Sequence, residues 1–113
     1  MTDYDGNVYH TVVIGSQCWM KEILRSTHYA DGADITLSAT HSSSSTNGYR
    51  CSPNDDADNV SAYGYLYNWS AVMRGYTYTP TISSGDTYIT PPVVQGVCPV
   101  NWHVPSENEW NTL

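Results

Sequence analysis

The residues best suited to chemistry in this chain are oxygen donors and aromatic rings. Asn54, Asp55, Asp56, Asp58 and Asn59 follow Pro53 at near-alternate spacing, the pattern by which a loop offers oxygen ligands to a hard cation such as Ca2+. Asn54, Asp56 and Asp58 are the candidate metal ligands. The loop lacks the glycine and the distal glutamate of an EF-hand. The more ordinary reading, an Asx-rich turn whose side chains cap their own backbone, is the favoured one. Asp3, Asp5 and Asn7 form a second acidic loop, where a hairpin turn is the stronger reading. The candidate bases are His10, His28, His41 and His103. None belongs to a recognised nucleophile motif with Ser, Cys or Asp, and His103, between Trp102 and Val104-Pro105, reads as a packed histidine. The chain is therefore expected not to be an enzyme, and Ca2+ is the one cofactor that its residues suggest.

The aromatic residues offer a different chemistry. There are 10 Tyr and 4 Trp but no Phe, so every ring carries a polar group that wants a partner. Rings of this kind, with abundant Ser, Thr and Asn, suit binding faces that combine flat apolar area with adaptable hydrogen bonds. Tyr63, Tyr65, Tyr67, Trp69 and Trp102 are the candidate ligand-binding residues. Against this stands the plainer reading that the tyrosines form the core of a small β-rich domain, since aromatics are favoured in strands.

Charge and cysteine content exclude several classes. Eleven Asp plus Glu against four Lys plus Arg give a formal net charge of -7 in 113 residues. Lys21, Arg25, Arg50 and Arg74 are scattered singly. Neither nucleic acid nor an anionic membrane surface is an expected partner, because both require clustered cations. No apolar run approaches the ~20 residues of a membrane-spanning helix. Cys18, Cys51 and Cys98 allow at most one internal disulfide with one thiol left over, and their spacing does not suit zinc.

These residues must be positioned by one domain. Asp5-Gly6 predicts a type I′ turn. Val8, His10, Val12 and Ile14 alternate with Tyr9, Thr11 and Val13, the period of a half-buried strand. Gly15-Ser16 predicts a type II′ hairpin returning along Gln17-Cys18-Trp19-Met20. Residues 26–59 read mostly as loop, with residues 40–48 as a Ser-rich exposed excursion. Leu66, Trp69 and Met73 fall on one face of a short helix that closes near Gly75. Residues 76–97 read as extended and loop-rich, with Pro91-Pro92 and Pro99 preventing a long helix. Ser106-Glu107-Asn108-Glu109 is a capping box that starts a helix bearing Trp110 and Leu113. That helix has a clear start and no matching end, so the chain is expected to be completed by a further C-terminal segment or by a partner.

Three blocks carry a family resemblance. They are Gly6-Asn7-Val8-Tyr9 with Val13-Ile14-Gly15-Ser16-Gln17-Cys18-Trp19-Met20, then Tyr63-Gly64-Tyr65-Leu66-Tyr67-Asn68-Trp69, then Gly96-Val97-Cys98-Pro99 with Trp102-His103-Val104-Pro105-Ser106 and Glu109-Trp110. Together they resemble the Fibrobacter succinogenes major paralogous domain, found in secreted and lipid-anchored proteins of Bacteroidetes-like bacteria. Lys21-Glu22-Ile23-Leu24 stands where the family usually has Ala-Glu-Asn-Leu, so any role of that Asn is lost. The resemblance implies an α+β, C-type-lectin-like fold similar to the formylglycine-generating enzymes: β-hairpins, one or two short helices and long irregular loops. It also implies that residues 1–113 form a single domain that is incomplete at its C-terminus, the absent part often supplying another cysteine. The family carries no activity to transfer.

The expected function is a non-enzymatic module at the bacterial cell surface or outside the cell, acting in assembly, as a homopolymer or fibre subunit, or in adhesion. The alternative is a lectin-like module whose Tyr and Trp stack on sugar rings, with calcium assisting. The expected partners are copies of the chain or its missing C-terminal segment, and glycans.

Overall fold

A computed structural model describes residues 1–38, 46–76 and 93–113, and these form a small α+β domain with two sheets and a few short helices. The first sheet is a hairpin. Strand β1 (Thr11–Ile14) runs antiparallel to β2 (Gln17–Met20), with Ile14 opposite Gln17. Gly15 takes φ 60° while Ser16 stays out of the left-handed region, the asymmetry of the expected type II′ turn. The half-buried strand expected from Val8 onward is corrected in two ways. It begins only at Thr11, and all four of its residues are exposed. Strand β1 is the exposed strand of the hairpin, and Met20, at the end of β2, packs on the core.

The turn at Asp5-Gly6 also differs from expectation. Gly6 takes φ 82° but Asp5 does not enter the left-handed region, so the turn is not type I′. The Gly6 N–H donates to the Asp3 carbonyl at 3.2 Å, and the Asn7 N–H donates to Asp3 Oδ1 at 2.9 Å. The Asp3 side chain thereby fixes a three-residue loop that glycine closes.

The second sheet lies where the sequence reads as loop and helix. Strand β3 (Thr36–Leu37) is parallel to β4 (Tyr49–Cys51), which is antiparallel to β5 (Leu66–Tyr67). Two 3-10 turns, Pro53–Asp55 and Ala57–Asn59, lead into helix α1 (Val60–Tyr63). Leu66 therefore belongs to a strand, and helix α2 is confined to Trp69–Met73. Asn68 sets that boundary. Its Oδ1 accepts from the Ala71 N–H at 3.0 Å as an N-cap and from the Tyr49 N–H at 2.9 Å, tying helix to sheet. The helix buries Ser70 and Ala71, while Leu66 and Trp69 stay exposed. Helix α3 (Glu107–Thr112) opens on the expected capping box.

The core consists of Tyr9, Leu24, Tyr29, Ile35, Ala71 and Val97. Its two tyrosines bear out the plainer reading of part of the aromatic content. The turn at Gly96-Val97 docks on α2 through the Val97 N–H to the Val72 carbonyl at 3.0 Å. Gly96 makes that approach: it has φ 53°, and a Cβ there would sit 1.9 Å from the Val72 oxygen.

No disulfide links Cys18, Cys51 or Cys98, so the single bridge that the sequence allows is not formed. Burial pushes the Cys98 thiol up to about 11, which keeps it protonated and a poor nucleophile for exchange. The Ser-rich reading at 40–45 and the extended reading at 77–92 lie outside the described residues; Thr46 and Asn47, at the end of the Ser-rich run, are exposed. Among the described residues no helix is long and apolar enough to cross a membrane.

Candidate functional site

The β1–β2 hairpin, α3 and the turn before it enclose a cleft of about 540 Å3. Three indoles line it, from Trp19, Trp102 and Trp110. Strand β2 supplies Trp19, and period-2 alternation puts Gln17 on the same face. The turn supplies Trp102: its N–H donates to the Pro99 carbonyl at 3.0 Å, with Asn101 at φ 68°, the third position of a type II turn that tolerates Asn. Helix α3 supplies Trp110.

A chain of polar contacts holds these elements in register. The Trp19 indole N–H donates to Gln17 Oε1 at 3.2 Å. Gln17 Nε2 donates to the Glu109 carbonyl at 3.0 Å. The Glu109 carboxylate closes the capping box, accepting from the Ser106 N–H and from Ser106 Oγ, both at 2.8 Å. Its other oxygen, Oε1, meets His103 Nε2 at 2.7 Å. The Ser106 N–H, the Ser106 hydroxyl and His103 together hold the Glu109 carboxyl down at about 2. The Trp19 and Trp110 rings pack with centroids 4.8 Å apart and planes tilted by 46°, a favourable aromatic geometry. Hairpin, helix and turn are thus clasped at one point.

The residues singled out from the sequence are dispersed. Of the five aromatic candidates, only Trp102 lines the cleft. Tyr63 on α1 and Trp69 at the start of α2 are exposed. Tyr65 lies between the Arg50 guanidinium, 4.7 Å from its ring centre, and the Tyr67 ring at 6.3 Å; the Nε of Arg50 is buried without a hydrogen-bond partner. Tyr67 donates its hydroxyl to the Ser26 carbonyl at 2.7 Å, and burial raises its pKa. It serves the interior. Trp19 and Trp110 were not among the sequence candidates, although the Gln17/Trp19 alternation and the placement of Trp110 directly after Glu109 were visible in the chain.

In the acidic loop Asp56 Oδ1 accepts from the Asp58 N–H at 2.9 Å, and Asn59 Nδ2 donates to the Pro53 carbonyl at 3.1 Å. These are contacts of an Asx turn. Asn54, Asp56 and Asp58 are all exposed. Among the described residues no group of three His, Cys, Asp or Glu is gathered to hold a metal ion.

One His-acid pair joins residues that the sequence keeps apart. His28 Nδ1 meets Asp5 Oδ1 at 2.5 Å, and Asp5 Oδ2 accepts from the Thr27 N–H and hydroxyl. Partial burial pushes the Asp5 carboxyl up, but the Thr27 and His28 contacts outweigh it and its pKa is lowered. The Thr27 hydroxyl lies 3.0 Å from the same Nδ1 that Asp5 occupies. A catalytic dyad instead places nucleophile and acid on opposite ring nitrogens. The cluster clamps a turn.

With this geometry in hand, comparison with known proteins is informative on one point. Residues 12–113 match the family model described as the Fibrobacter succinogenes major domain. No curated protein and no solved structure matches the chain.

Proposed function

The chain belongs to the Fibrobacter succinogenes major domain family, and from that premise we propose that it is a non-enzymatic module working outside a bacterial cell, in adhesion or assembly. The observation that carries this reading is the clasped cleft: three indoles, on elements joined by polar contacts, around an open volume of about 540 Å3. That volume falls within the roughly 300–1,000 Å3 of ligand sites. Prearranged aromatic surface binds at low entropic cost. The C-type-lectin-like part of the reading rests on the sequence resemblance, with which an α+β domain of short strands is consistent.

Assembly has its own supporting feature. Among the described residues strand β1 pairs only with β2, and Val12, Val13 and Ile14 are exposed along it without a charged residue. Uncharged edges of this kind accept an added strand.

The test uses fluorescently labelled chain applied to intact cells of the producing bacterium, with its oligomeric state followed by sedimentation. Saturable surface retention that is lost in the Trp102→Ala/Trp110→Ala double variant supports adhesion through the cleft. Self-association at micromolar concentration that is broken by Val13→Lys supports assembly. Neither behaviour, or a native protein found in the cytosol, refutes the proposal.

A further inference from the structure

We infer that the tryptophan cleft takes an uncharged pyranose ring, the unit of a neutral glycan; this rests on the binding reading above and names its ligand class. The polar groups of the cleft divide into two sets. Those that build the frame are already used: Gln17 is engaged at both ends of its amide, and the Glu109 carboxylate accepts from Ser106 and meets His103. Those that remain include the indole N–H groups of Trp102 and Trp110, Nδ1 of His103, the Asn101 amide and the Ser16 hydroxyl. None of these has a hydrogen-bond partner among the described residues.

The remaining set combines donors and acceptors and carries no uncompensated charge. Hydroxyl groups, which both donate and accept, match such a set. The flat indole faces match the apolar C–H face of a six-membered sugar ring, so stacking and hydroxyl contacts can be made together. Charge argues against the competing classes. An anion would meet Glu109, the one carboxylate lining the cleft among the described residues, on a chain of net charge -7, which repels anions at long range. A cation would find that same carboxylate already occupied by Ser106 and His103. Trp69, which is 71% exposed but lies outside the cleft, provides an internal control.

The experiment titrates the full chain with methyl pyranosides and with neutral oligosaccharides of glucose, mannose, galactose and xylose, following indole emission. Sialylated and sulfated oligosaccharides and tetramethylammonium chloride are run in parallel. The expected result is a saturable change with at least one neutral sugar and none with the charged probes. Trp102→Ala and Trp110→Ala should each weaken binding about tenfold or more, as loss of an aromatic anchor does, and Trp69→Ala should leave it unchanged. Trp110→Phe, which keeps a ring, should retain most of the binding and so separates lost stacking from lost folding. No response to any neutral sugar, a response confined to a charged probe, or an affinity that survives both alanine variants overturns the inference. Should the cleft variants abolish adhesion to cells while no sugar binds the parent chain, the sugar class falls and the adhesion reading stands. Should sugars bind with the expected dependence while cells do not retain the chain, the sugar class stands and the adhesion reading falls.

Discussion

The interior around Tyr9 and the cleft around Trp102 are built from the same kind of residue, an apolar ring with one polar group, yet they differ in what becomes of that group. In the interior, Tyr9 donates to Asp3 Oδ2 at 2.7 Å and accepts from the Arg25 N–H at 3.0 Å. Tyr9 is 1% exposed, and burial, followed by the bond to Asp3, raises its pKa. Tyr67 is spent in the same way on the Ser26 carbonyl. In the cleft, among the described residues, only the Trp19 N–H is satisfied internally, through Gln17, whereas Trp102 and Trp110 keep open N–H groups. An aromatic whose polar group is used inside the protein is part of its core. One held rigidly with that group left over is placed to meet something else.

Four measurements test this contrast, taken from the largest expected effect. Tyr9→Ala removes a buried ring together with its two hydrogen bonds and should cost about 3–5 kcal/mol in denaturant unfolding; a loss below about 1 kcal/mol would place Tyr9 outside the core in energetic terms. Tyr67→Phe keeps the ring but strips the donor from the Ser26 carbonyl, and about 1–3 kcal/mol should be lost. A neutral result there would mean that the hydroxyl is not what commits this ring to the interior. Trp110→Ala removes a ring that is 57% exposed. It should cost only the aromatic pair with Trp19, about 0.5–1.5 kcal/mol, with loss of the near-ultraviolet dichroism of that pair. A larger cost would move the cleft into the same class as the core.

The smallest effect is one of pH. The Glu109 carboxyl sits at about 2 in the folded chain against an ordinary 4.5. A carboxyl depressed on folding contributes stability that is fully present above its unfolded value and is lost as the pH falls through the folded one. The α3 clasp should therefore hold above pH 4.5 and loosen between about 4.5 and 2, read as a change in Trp19 and Trp110 emission. Asp5 and Glu22 are also depressed by their hydrogen-bond partners, so the diagnostic quantity is the difference between the parent and Glu109→Gln. An unchanged acid transition in that variant would show that Glu109 does not hold the helix.

Local chemistry made some of this legible from the chain alone. The Gly15-Ser16 turn and the Ser106/Glu109 capping box are each satisfied within a few residues, and both formed as read. The Asp5-Gly6 turn failed because the Asp3 carboxylate, not the glycine dipeptide, chose the loop. The helix read through Leu66 failed because Asn68 caps α2 while also pairing with Tyr49, a contact across 19 residues. The aromatic candidates were chosen from a dense local run, and density says nothing of which hydroxyl finds a partner indoors.

The family, the short turns and caps, the weight of polar aromatics and a charge that disfavours anionic partners are all set locally along the chain. Which aromatics are spent and which are left open depends on contacts made only in the folded chain. The cleft is closed by Gln17 reaching Glu109 across 92 residues, and by a Trp19–Trp110 contact of similar span. No periodicity encodes such contacts, because their partners are selected by the packing of the whole chain and not by neighbours along it.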